Sequence, residues 1–186
     1  MYRILWPLKL WDSAMKDDDL SKIQLLILDV DGVLTDGGIV VHSDGTESKR
    51  FSVLDGHRIK LWQRSGGLTA VISGRETAAT TIRAKQLGIS LVMQGCLEKL
   101  PAFEQLLKEV GLTPEQTAYV GDDLMDIPLV RRAGFGVAVA NAADELKQYA
   151  DFITERKGGE GAVAEVVEHL LKKKMKWEEL MERYRV

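Results

Sequence analysis

The sequence predicts an α/β fold: one open, mostly parallel sheet, doubly wound with helices on both faces in the Rossmann-like manner. Three observations carry this. Short apolar runs recur along the chain, each followed by glycine or a polar residue and then by a helix-patterned segment. The first run, Ile23 to Leu28, is too short for a typical helix and too apolar for a strand with one wet face, so it reads as a strand buried on both sides. No internal repeat or linker divides the 186 residues, about one domain's length.

Residues 1–20 stand outside this alternation and read as an N-terminal arm, with Asp17-Asp18-Asp19 as a solvated charge run and Met15 as an alternative start. After the opening strand, Ile39 to His42 and Glu47 to Val53 flank Ser43-Asp44-Gly45-Thr46, a hairpin signal. Asp55-Gly56 can cap a helix across Ile59, Leu61 and Trp62, closed by Gly66-Gly67. Leu68 to Ile72 is a second strand, ending at Ser73-Gly74-Arg75, and Glu76 to Leu87 a helix. Ile89 to Met93 is a third strand. Leu97 to Val110 is helical, with Pro101 in its first turn. Thr113 to Gln116 is a capped turn, Thr117 to Val120 a fourth strand, and Gly136 to Val139 a fifth. Asn141 to Tyr149 suits a helix, Asp151 to Thr154 an edge strand, and Gly158 to Gly161 a flexible loop. A last helix starts near Ala162 and can run to the end. The expected division is an arm over 1–20, one domain over 21–175 and a helical tail over 176–186.

Bulk properties exclude several classes. A net charge of −3 gives no support to nucleic-acid binding. The lone cysteine, Cys96, excludes an internal disulfide and suits a reducing compartment. No apolar run approaches the ~18 residues that cross a membrane, so a cytoplasmic location without membrane attachment is expected.

Polar residues gather where the strands end, the place where open α/β sheets bind ligands. Asp29 and Asp31 leave the first strand on the same side, because strand side chains alternate. Two like charges there repel unless a cation or a reaction needs both. With Asp122 and Asp123 they call for a hard cation held by oxygen, Mg2+ rather than zinc, and His42, His57 and His169 are too scattered to serve as zinc ligands. Ser73 and the amides around Gly74 can bind an anion at a helix N-terminus, or Ser73 can simply cap the helix. Lys99 can hold a phosphate oxygen or lie on a helix surface. A metal, phosphate ligands and a bare carboxylate together point to phosphoryl transfer through an aspartyl-phosphate.

The segments Asp29-Val30-Asp31-Gly32-Val33-Leu34-Thr35-Asp36-Gly37, Ser73-Gly74-Arg75, Lys99 and Gly121-Asp122-Asp123-Leu124-Met125-Asp126 resemble the four motifs of the haloacid dehalogenase superfamily of phosphatases. The hairpin, Asp55-Gly56 followed by Ile59-Lys60-Leu61, and Gly158 to Val163 resemble a branch acting on phosphates of acidic sugars, of eight carbons or, alternatively, nine. The resemblance implies Asp29 as nucleophile and metal ligand, Asp31 as general acid and base with its backbone carbonyl on Mg2+, and Asp122 as the third protein ligand. It implies Ser73, Gly74 and Lys99 around the phosphate, Arg75 at the substrate, and Asp123 and Asp126 in support. The gaps between motifs are too short for a cap domain. The branch's answer is a homotetramer whose hairpins associate and whose neighbouring subunits complete each site, with the Gly158-Gly159 segment reaching it. A receiver-like signalling domain is the competing reading from another class. Asp31 argues against it, since a second carboxylate two residues from the nucleophile can discharge the intermediate.

Overall fold

The computed structural model describes residues 20–186, so residues 1–19 of the N-terminal arm, with Asp17-Asp18-Asp19 and Met15, lie outside the described residues, while Leu20 is buried in the core. Its sheet has six strands: β1 (Leu25–Leu28), β4 (Leu68–Ile72), β5 (Leu91–Met93), β6 (Thr117–Gly121), β7 (Phe135–Ala138) and β8 (Phe152–Ile153). They lie in the order β5-β4-β1-β6-β7-β8, and every pairing is parallel. The order runs outward from β1 in both directions, so the sheet has its switch point beside β1, where a crevice opens. Leu25, Leu26, Ile27 and Leu28 have no exposed surface, as a central strand covered on both faces requires. The remaining two strands, β2 (Val40–Val41) and β3 (Glu47–Ser48), form an antiparallel hairpin. Its turn is closed by the His42 amide donating to the Thr46 carbonyl, and by Asp44 accepting from the Thr46 amide. Val40 and Val41 are exposed on it.

Helices α1 (Val53–Arg64), α2 (Ala78–Leu87), α3 (Lys99–Val110), α4 (Ile127–Val130), α5 (Asp144–Lys147), α6 (Ala162–Lys173) and α7 (Trp177–Glu182) complete the fold. Several starts differ from the sequence expectation. Ser52, not Asp55, caps α1, its hydroxyl accepting from the Asp55 amide. Asp55 itself is buried and caps a different helix: its carboxylate accepts from the Gly161 and Ala164 amides at the start of α6, at 3.3 and 2.8 Å. Two unsatisfied amides and the positive helix end make that pocket suitable for an acid. Thr77 caps α2, so Ser73 and Gly74 lie ahead of the helix rather than at its N-terminus. Pro101 falls in the first turn of α3, where its missing N–H breaks no ladder bond. The helix expected over 141–149 shrinks to the four residues of α5.

The final helix does not run through to the end. It stops at Lys174, Met175 turns the chain with φ 55°, and α7 folds back. Trp177, Leu180 and Met181 pack against the core, and the Tyr184 hydroxyl meets His57 Nε2 at 3.0 Å and is met by Arg64 at 3.1 Å. Gly158 to Gly161 is not a free loop either. The Gly158 amide donates to Asn141 Oδ1 and the Gly159 amide to the Val33 carbonyl, both at 2.9 Å. The segment lies so close to the loop after β1 that a Cβ on Gly158 would overlap the Gly32 carbonyl oxygen, which excludes any other residue there.

Candidate active site

The carboxyl ends of β1, β4 and β6 and the start of α3 bring most of the expected residues together. Asp29 and Lys99 are buried, and Lys99 Nζ sits 3.0 Å from Asp29 Oδ2. The same ammonium donates to Asp126 Oδ1 at 2.6 Å. Asp29, Asp122 and Asp126 each present a carboxylate oxygen within 4.8 Å of the others. Asp126 is fully engaged: Oδ1 also accepts from the Tyr119 hydroxyl at 2.6 Å, and Oδ2 accepts from the Asp122 and Asp123 amides. It therefore shapes the turn after β6 and orients Lys99. Asp122 Oδ1, in contrast, is buried without a hydrogen-bond partner. A buried unpaired carboxylate oxygen is costly, and a cation is the partner that suits it.

Electrostatics report the same crowding. Burial, then the Asp126 charge, lift the Asp29 pKa to about 6 against the pull of Lys99. Burial, then Asp29 and Asp126, lift Asp122 to about 8. Burial works against the charge on Lys99, but Asp29 and Asp126 outweigh it and raise its pKa. One ammonium is too little positive charge for this group of acids.

Asp31 lies apart from that cluster. Its carboxylate is gripped by Lys49 Nζ at 2.6 and 2.8 Å, and Arg75 Nε is 3.9 Å away. Arg75 reaches across to Glu47 of the hairpin, NH2 to Oε1 at 2.5 Å. Directly after Asp31 the chain turns at Gly32, with φ +87°, where a Cβ would collide with the Asp122 carboxylate. Thr35 fixes the turn: its hydroxyl donates to the Val30 carbonyl and accepts from the Gly32 and Gly37 amides. Ser73 is buried at the end of β4, its hydroxyl accepting from the Arg75 amide, with Gly74 bare beside it. Asp123 is exposed and caps the short 3-10 turn Leu124–Asp126.

Comparison with known proteins places this geometry. Residues 75–167 match the family model of haloacid dehalogenase-like hydrolases. The chain is 46% identical over 151 residues to the 3-deoxy-D-manno-octulosonate 8-phosphate phosphatase of Escherichia coli K12, covering 81% of this chain and 80% of that one. The chain belongs to the haloacid dehalogenase-like hydrolases. Solved structures agree. A probable YrbI family phosphatase from Pseudomonas syringae superposes with a TM-score of 0.90 at 46% identity, covering 91% of this chain and 97% of that one. The 3-deoxy-D-manno-octulosonate 8-phosphate phosphatase of Moraxella catarrhalis, in complex with a magnesium ion, a phosphate ion and a KDO molecule, gives 0.88 at 41%, covering 90% and 97%.

Membership in these hydrolases displaces the receiver-like reading. Within the hydrolase site, sequence reasoning missed Lys49 and Tyr119 as partners of Asp31 and Asp126, and Thr35 as the hydroxyl that ties the turn after β1. Lys49 lies in an ordinary charged run, Glu47-Ser48-Lys49-Arg50, and carries no local signal. The histidines stay outside the acidic group: His169 stacks on Phe152 and Phe135, and His42 pairs with Ser48. Among the described residues no helix is long and apolar enough to cross a membrane.

Proposed function

We propose that this chain is a Mg2+-dependent phosphatase that hydrolyses 3-deoxy-D-manno-octulosonate 8-phosphate to the free sugar acid and phosphate. The observation that carries the substrate is the 46% identity, over four-fifths of its length, to an E. coli enzyme of that specificity. The observation that carries the chemistry is the Asp29–Lys99 pair beside Asp122.

Asp29 attacks phosphorus in line and the sugar oxygen leaves. Asp31 gives that oxygen a proton, then takes one from the water that opens the aspartyl-phosphate, and Asp29 is restored. Lys99 and the Ser73 hydroxyl hold phosphate oxygens, with the Gly74 backbone close by and Arg75 turned toward the sugar. Asp126 keeps Lys99 aimed, and Asp123 fixes the turn that carries Asp122. The donor set fits a hard divalent cation, with the orphaned Asp122 oxygen as its strongest support. Mg2+ would be held by Asp29, Asp122 and the Asp31 carbonyl, and would supply positive charge to the phosphoryl oxygens. Residues 21–175 form the catalytic unit. With no cap, a homotetramer associated through the exposed Val40–Val41 hairpin screens the site. The working place of such an enzyme is the cytoplasm.

The test is phosphate release from a panel of acidic sugar phosphates with Mg2+, beside sedimentation of the active species. The eight-carbon 8-phosphate is expected to turn over fastest. Preference for a nine-carbon 9-phosphate would move the specificity, and a fully active monomer would remove the tetramer.

Raised carboxyl pKa values also make a stability prediction. Asp29 and Asp122 bind protons more tightly folded than unfolded, so the metal-free protein loses stability as pH rises between the two states' values. In EDTA the melting midpoint is therefore expected to fall from about pH 4 toward about pH 8, the range between the ordinary value and the raised ones. Mg2+ should restore the midpoint most at the upper end. A midpoint in EDTA that is flat or rises across this range would contradict the crowding of the acids.

A further inference from the structure

The hairpin returns to the body of the protein through Lys49. Its side chain has no exposed surface, although the strand that precedes it is half open to solvent. Enclosing an ammonium strips it of its hydration, so the fold must return something for it. Lys49 Nζ contacts both oxygens of Asp31, at 2.6 and 2.8 Å. A two-point grip of this kind fixes the plane of the carboxylate as well as its place. Beside it, Arg75 Nε stands 3.9 Å from Asp31 Oδ2 and is anchored to Glu47, two residues before Lys49. Asp31 thus meets positive groups set by the base of the hairpin on two sides. A fifth of its side-chain surface remains open.

A carboxylate that must hand a proton to a leaving oxygen works only within hydrogen-bond reach of it. We propose that Lys49 is a positioning residue for Asp31, and that the base of the hairpin sets the angle at which this carboxylate meets the leaving group. The proposal rests on the proton-handling role given to Asp31 above. It makes turnover of a poor leaving group depend on the hairpin's docking on the body of the protein.

A purely structural tie would affect all substrates alike, whereas a positioning role depends on the leaving group. The test compares kcat/KM, which reports the steps up to the aspartyl-phosphate, for two phosphates. The sugar 8-phosphate expels an alkoxide that needs a proton. p-Nitrophenyl phosphate expels a stable phenolate that does not. Lys49→Met is expected to lose about 100-fold on the sugar phosphate and less than about tenfold on the aryl phosphate, in the range of general acid catalysis. Lys49→Arg, which keeps the charge, should recover part of the loss, and it carries the same comparison if the methionine variant fails to fold. Equal losses on both substrates overturn the proposal. Asp31→Asn is measured alongside. If it is selective and the Lys49 variants are not, Lys49 does not position Asp31. If Asp31→Asn is itself unselective, the proton-handling reading has failed, and the proposal fails with it.

Discussion

Asp29→Asn is expected to lower phosphate release by at least about 10⁴-fold, with sugar and aryl phosphates alike, because the oxygen proposed to attack phosphorus is gone for every substrate. The same change should leave the fold intact and its stability equal or higher at pH 8. The reasoning comes from the balance of fields at this carboxyl. Lys99 at 3.0 Å favours the charged form, but burial and Asp126 outweigh it and hold the pKa near 6. The charge is thus a net cost to the folded protein, tolerated where a reaction needs it. Asparagine keeps the shape and removes the cost. Turnover that survives on both substrates would show that another group attacks phosphorus. A large loss of stability would show that the Lys99 pairing outweighs burial.

The sequence was most readable where one short stretch contains its own explanation. The run Leu25 to Leu28 reads as a doubly covered strand because nothing in it tolerates water, and the sheet buries it completely. From there, strand ends could be located by their polar residues alone. What the sequence hid lies in contacts between distant positions. Asp55 in a first helical turn looks like that helix's own cap, yet its partner Ala164 is 109 residues away. Lys49 is one charge in a charged run until the hairpin folds it onto Asp31, 18 residues earlier. The four residues of α4 and of α5 are too few to show a helical period. Gly158 to Gly161 read as flexible because glycine suits loops. It suits this segment for the opposite reason, close backbone packing against Gly32 and Val33.

Lys99→Met is expected to cost roughly 3–5 kcal/mol of stability near pH 8, the range for breaking a buried ion pair from one side. Methionine matches the length of the stem, so lost packing is small, and the two acids are left facing each other. Asp126 keeps the Tyr119 hydroxyl and two amides, but Asp29 loses its strongest favourable contact and its pKa climbs further above about 6. A higher folded pKa means more protons bound in the folded state, so the variant regains stability as pH falls. Denaturation in EDTA should show a gap between wild type and variant that is wide at pH 8 and narrower at pH 5. Turnover should fall by about 10²–10³-fold if Lys99 holds phosphoryl oxygens as proposed, since a fixed positive charge is then lost from them. Lys99→Arg should restore little of it, because a compact ammonium bridges Asp29 and Asp126 at 3.0 and 2.6 Å on a side chain with no exposed surface, and a longer planar guanidinium does not reproduce that geometry. A gap of equal size at both pH values would mean that lost packing dominates, since packing does not titrate and the charge of Asp29 does.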